Sequence, residues 1–101
     1  MQNFRTFNLG VQFYHLALTL PIRGHLREQL ERASSSISLN LAEGRGKPTT
    51  KDQLRFFHIA MGSVRECQAI LVLAKQEGTK QWQLLDSVAA HLFKLIQVAA
   101  G

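Results

Sequence analysis

Between Ile22 and Leu41 the apolar residues Ile22, Leu26, Leu30, Ala33, Ile37 and Leu41 stand four, four, three, four and four positions apart. That interval matches the 3.6-residue turn of an α-helix and draws one apolar seam along it, which must be buried against something. The stretch from about Lys51 to Glu77 carries two adjacent stripes. One reads Leu54, Phe57, Met61, Val64 and Leu71; the other reads Phe56, Ile59, Ala60, Ser63, Cys67, Ile70 and Ala74. A helix apolar on two flanks is covered from more than one side, so other helices must pack around it. No segment alternates with period two in β-branched residues, and no sheet is expected.

The rest of the chain supplies those neighbours. A first helix is predicted from about Phe4 to Leu20, with Asn3 as its cap, Leu20-Pro21 as its stop and Phe4, Phe7, Val11, Tyr14 and Leu18 as its stripe. Gly10 inside it costs about 1 kcal/mol relative to alanine. The second helix is predicted from about Arg23 to Glu43, closed by Gly44 in a left-handed cap and followed by a flexible loop, Gly44 to Thr49. Thr50 is expected to cap the third helix, with Gln53 completing a capping box, and Gly78 to end it. Thr79 caps a fourth helix, from about Lys80 to Ala100, with Trp82, Leu85, Ala89, Leu92, Ile96 and Ala99 on one face. Short connections make consecutive helices antiparallel, so the expected fold is an all-α, up-down-up-down four-helix bundle forming a single domain over residues 1–101.

At 101 residues the chain suits one domain with a modest core, to which partner subunits would add stability. Cys67 is the sole cysteine, so no internal disulfide forms. The longest apolar run, Ala69 to Ala74, falls far short of the roughly 18 residues of a membrane span, and no membrane partner is expected. The Met1-Gln2-Asn3-Phe4-Arg5 start lacks the features of a signal peptide, which points to the cytoplasm. A formal charge of +5 favours anionic partners, nucleic acid among them, and serves solubility equally well.

Catalytic patterns are sought in vain. The di-iron bundle motif needs histidine three residues after glutamate, but Glu28 is followed there by Glu31, Glu43 by Gly46 and Glu66 by Ala69. His15, His25, His58 and His91 show no ligand spacing, so neither metal nor cofactor is expected. Gly46-Lys47 lacks the first glycine and the Ser/Thr of a phosphate loop, and Ser34, Ser35 and Ser36 lack the glycines of a nucleophile elbow. Cys67 sits on an apolar stripe and reads as packing. No enzyme is expected.

Two polar groupings stand out. Asn40 lies beside the seam of the second helix, where asparagine can set register. Glu43 opposes the dipole at that helix's end, to be offset by Arg32, Arg55 or Arg65. Asn40, Glu43, Arg32 and Glu66 are therefore assigned structural polar roles. The second grouping is Arg45, Lys47, Lys51 and Arg55, set against Asp52 across the loop and the start of the third helix. Cations beside helix N-terminal amides suit phosphate. Arg23 and Arg27 are weaker candidates. A solvated loop with charges for solubility fits the same residues.

The run Gln29 to Gly44, above all Arg32-Ala33, Ser36-Ile37 and Asn40-x-Ala42-Glu43-Gly44, resembles the signature of a bacterial four-helix-bundle family encoded in intervening sequences of large-subunit ribosomal RNA genes. That family is related to the accessory variability proteins of diversity-generating retroelements. Phe56-Phe57-x-Ile59-Ala60-x-Gly62-Ser63, followed by Glu66 and Leu71, is similar as well, so the likeness spans Gln29 to about Gly78. The resemblance implies an antiparallel bundle, a ring-shaped homopentamer, and binding to nucleic acid or to a partner acting on it, without enzymatic activity. The rival expectation is a scaffold binding an acidic partner protein.

Overall fold

Four helices form: α1 (Gln2–Ala17), α2 (Gly24–Arg45), α3 (Thr50–Leu73) and α4 (Lys80–Ala100). The computed structural model describes residues 2–101, with side chains from residue 5 onward. The expected Asn3 cap and the Phe4 end of the first stripe therefore lie outside the described side chains. Among the described residues there is no strand. Each helix packs on two others, α1 on α2 and α4, and α3 on α2 and α4. Phe13, Leu30, Ile37, Phe57, Val64, Leu71, Leu85 and Leu92 from all four helices meet in one fully buried core.

The seam is where its spacing put it: Leu30, Ala33, Ile37 and Leu41 of α2 are buried, as is Ile22 just before the helix, and Leu26 is partly so. On α3 the two stripes merge into one broad buried face, Phe57, Ala60, Ser63, Val64, Cys67, Ile70 and Leu71. Ile59, assigned to the second stripe, is instead exposed, as are Val72 and Leu73 on the same helix. By length and composition Thr50–Leu73 is apolar enough to cross a membrane, which a bundle's core helix can also be.

On α1 the buried face is rotated one residue from the expected stripe. Thr6, Gly10, Phe13, Ala17 and Leu20 point inward, while Phe7, Val11, Tyr14 and Leu18 flank them. Small residues win the inner face because α1 lies so close to α2. A methyl on Gly10 would collide with the Ser38 hydroxyl and come within 3.3 Å of Ile37 Cγ2. The glycine that weakens the isolated helix thus sets its docking distance. Ser38 Oγ donates to the Phe7 carbonyl at 3.1 Å across this contact. The helix proper stops at Ala17, and the residues up to Leu20 tighten into three-residue bonds before Pro21.

Gly44 is not the expected left-handed cap. α2 continues to Arg45 and closes at Gly46, whose φ is −81°. Gly44 is buried inside the helix against α3, where a Cβ would lie 2.8 Å from Phe57 Cε1 and 3.0 Å from Phe56 Cβ. Its lack of a side chain serves packing, and the connection shortens to the few residues before α3. Thr49, one residue before the expected cap, takes the role: its hydroxyl accepts from the Asp52 amide at 3.2 Å. Gln53, expected to close a capping box, donates from Nε2 to the Lys47 carbonyl at 2.9 Å.

α3 ends at Leu73, short of the expected Glu77 and Gly78. Lys75 there adopts a left-handed φ of 60°, and the Gln76 amide reaches back to the Leu71 carbonyl at 2.8 Å. This is the helix-closing geometry usually given to glycine. α4 begins where expected, with the Thr79 hydroxyl accepting from the Trp82 amide at 3.2 Å. Gln81 Nε2, buried at the α1–α4 contact, donates to the Leu16 carbonyl at 3.2 Å and to Thr19 Oγ1 at 3.1 Å.

Cys67 is fully buried, and burial followed by the nearby Glu66 charge pushes its thiol from an ordinary 9.0 up to about 12. Because the folded value exceeds the unfolded one, the unfolded chain loses its proton first as pH rises. Stability attributable to this thiol is complete below pH 9 and declines between pH 9 and 12. Thermal melts should therefore show an alkaline loss that Cys67→Ala, less stable overall, largely lacks; parallel alkaline slopes would refute this.

Candidate nucleic-acid interface

The α2–α3 junction carries the four predicted cations, and its backbone is held from several directions. The Gly46 amide bonds to the carbonyls of Ala42 and Glu43 at 3.3 and 3.2 Å, and the Lys47 amide to Gly44 at 3.1 Å. With the Lys47 carbonyl bound by Gln53 and Thr49 capping α3, the stretch expected to be a flexible loop is a braced turn. Cations mounted on it lose less freedom when they meet a ligand.

Phe56 gathers two of the four, Lys47 and Arg55. Lys47 Nζ stands 5.2 Å from its ring centroid, and the Arg55 guanidinium carbon stands 4.9 Å from it. Both fall within cation–π range. Lys47 is half-buried and also pairs with Glu43, Nζ to Oε2, at 3.2 Å. Arg45, Lys51 and Arg55 are exposed. The spacing places Phe56 only on an apolar stripe; the adjacent Arg55-Phe56 pair, within the first two turns of α3, is the signal of its second role.

Glu43 is offset by Lys47 rather than by any expected arginine. Lys47 sits just past the helix end, four residues on, while the arginines are engaged elsewhere. Arg32 meets Glu66 at 4.0 Å, Arg65 Nη1 donates to Gln68 Oε1 at 2.9 Å, and Arg55 stacks on Phe56. The Arg32–Glu66 pair joins α2 to α3, but both side chains are largely solvated, so it adds little stability.

Asn40 acts more locally than expected. Its Nδ2 donates to the Ser36 carbonyl and hydroxyl, both at 2.9 Å, within its own helix. The link to α3 is made one step further, by Ser63 Oγ donating to Ser36 Oγ at 2.8 Å. Arg23 and Arg27 lie at the opposite end of α2, roughly 30 Å away at 1.5 Å per residue, so they do not join the cluster. Arg27 pairs with Glu31 at 3.7 Å.

Among the described residues, no group of three or more His, Cys, Asp or Glu side chains could hold a metal ion. What the junction offers is positive charge, a ring and a planar guanidinium on a braced turn.

A family model described as 23S rRNA-intervening sequence protein matches residues 4–100. No curated protein and no solved structure matches.

Proposed function

The chain belongs to the 23S rRNA-intervening sequence protein family, and we propose that it is a non-enzymatic, oligomeric helical bundle that binds RNA or DNA through the α2–α3 junction. The observation that carries this reading is the pairing of Lys47 and Arg55 with the Phe56 ring at the α2–α3 junction, which Arg45 and Lys51 share, with only Glu43 and Asp52 as nearby acids in the sequence. Cations beside the first turn of a helix attract phosphate through charge and dipole together. The helices run up-down-up-down in this proposal. Short connections support that, as do the pairings of Gly44 with Phe57 and Ser36 with Ser63, whose numbers rise on one helix as they fall on the other.

Exposed apolar side chains, Leu39 and Leu73 at about two-thirds accessibility with Phe93 and Val98 at over half, support self-association in the same proposal. The homopentamer rests on the family resemblance. Repeating a modest patch around such a ring would turn weak contacts into useful avidity. They equally support a second reading, a scaffold for an acidic partner protein.

Salt separates these readings from a merely soluble surface. Four phosphate contacts on a single strand predict a plot of log affinity against log salt with a slope of about −3, since each contributes about −0.7. Titration of RNA and DNA oligonucleotides between ~50 and ~200 mM salt measures it. No binding at the lower concentration would remove the nucleic-acid reading, and recovery of one acidic protein after nuclease treatment would favour the scaffold.

A further inference from the structure

Phosphate attraction alone does not distinguish one nucleic acid from another, but the arrangement around Phe56 does. We propose that the α2–α3 junction selects single strands by stacking one unpaired base on the Arg55 guanidinium, while Lys47 and Lys51 hold the flanking phosphates. This rests on the nucleic-acid reading above and narrows its ligand.

A guanidinium is planar and weakly hydrated, and it stacks on flat π-systems on either face. In Arg55 the guanidinium carbon lies over the Phe56 ring, 4.9 Å from its centroid, while the residue as a whole remains exposed. Among the described residues it pairs with no carboxylate, whereas Lys47 has Glu43 and Arg27 has Glu31. A charge held by a ring rather than by an acid keeps its attraction for phosphate and offers a free platform. Phe56 is itself anchored: it is half-buried, and its Cβ lies 3.0 Å from the Cβ position of Gly44. The platform is set before any ligand arrives, which lowers the ordering cost of binding.

A duplex cannot use such a platform. Its bases are stacked inward, and the deep major groove of A-form RNA excludes side chains, whereas unpaired bases stack readily on aromatic rings and arginine planes. Single-strand sites combine a basic track with such platforms and tolerate any base, since each has a π-face. The junction has one platform, with Lys51 one helical turn before Arg55 on α3 and Lys47 against the same Phe56 ring. It is therefore a one-base site with general rather than sequence-specific recognition.

The test compares oligo-U RNA, oligo-dT DNA and a blunt duplex, each of about 12 nucleotides per strand and at ~50 mM salt, with the intact chain. At least one of the two single strands should bind about 10-fold more tightly than the duplex, and the tighter one names the strand type. Arg55→Lys keeps the charge and removes the plane, so it should cost the single strand about 10-fold while leaving the salt slope as it was. Phe56→Leu should have a similar effect, with its thermal midpoint checked to confirm folding. Equal affinity for single strand and duplex, or an Arg55→Lys protein that binds single strands normally, overturns the stacking site and leaves the phosphate reading standing. Failure to bind any of the three overturns both.

Discussion

Gly44→Ala should lower the stability of the fold by about 1 kcal/mol, although alanine is the better helix former. Two opposing effects set the sign. In a helix interior the substitution gains about 1 kcal/mol from propensity. Against this, the new methyl would lie 2.8 Å from Phe57 Cε1 and 3.0 Å from Phe57 Cδ1 and Phe56 Cβ. Phe57 is a rigid ring at the centre of the core, only 2% exposed, and cannot turn aside without shifting its neighbours. Overpacking of this kind costs typically 1–3 kcal/mol, and more where the obstacle is immobile, so a net loss results. Gly62 is the internal control, since it is exposed, mid-helix in α3, and nothing lies within 4 Å of its Cβ position. Gly62→Ala should therefore gain about 1 kcal/mol. Urea titrations of both variants, compared at unchanged m-value, read the two signs directly. A Gly44→Ala protein as stable as the parent would show that α2 and α3 do not meet there.

Removing all four junction cations together, as the Arg45→Ala, Lys47→Ala, Lys51→Ala, Arg55→Ala variant, should cost about 100-fold or more in nucleic-acid affinity at low salt. Its salt plot should flatten by about 3, the share of four phosphates. The fold should survive, since three of the four side chains are exposed and Lys47 is only half-buried. Glu43→Gln supplies the opposite sign. It removes the carboxylate 3.2 Å from Lys47 Nζ, which competes with phosphate for that cation, and should strengthen binding several-fold. An undiminished affinity in the fourfold variant would relocate the contact to another surface.

What could be read from residues alone divides along a physical line. α4 was legible to its ends, because Thr79 offers the sole capping hydroxyl at its start and its apolar spacing is regular. α2 was legible in its seam but not in its terminus. Gly44 satisfies both the chemistry of a cap and the sterics of a close crossing, and only the position of Phe57 on another helix decides between them. The same ambiguity shifted α1, where Thr6, Gly10 and Ala17 look like poor core residues until the distance to Ser38 is known. Composition marked the cationic loop, but Phe56 counted as grease because an aromatic in a helical stripe usually is. Pairing partners were the least legible, since Glu43 had Arg32, Arg55, Arg65 and Lys47 all within conceivable reach. Side-chain geometry, which spacing does not encode, selected Lys47.

The buried amide of Gln81 has a consequence for how the protein is made. It closes a hydrogen bond to a carbonyl 65 residues earlier, so the opening rod, which can dock on α2 at once, gains its second partner only after two more rods are translated. Until α4 is made, the flank of α1 around Phe13 and Ala17 is roofed by α2 alone. Exposed apolar surface of this kind favours misassociation, so the interval before α4 is translated is the one in which the chain is most open to it.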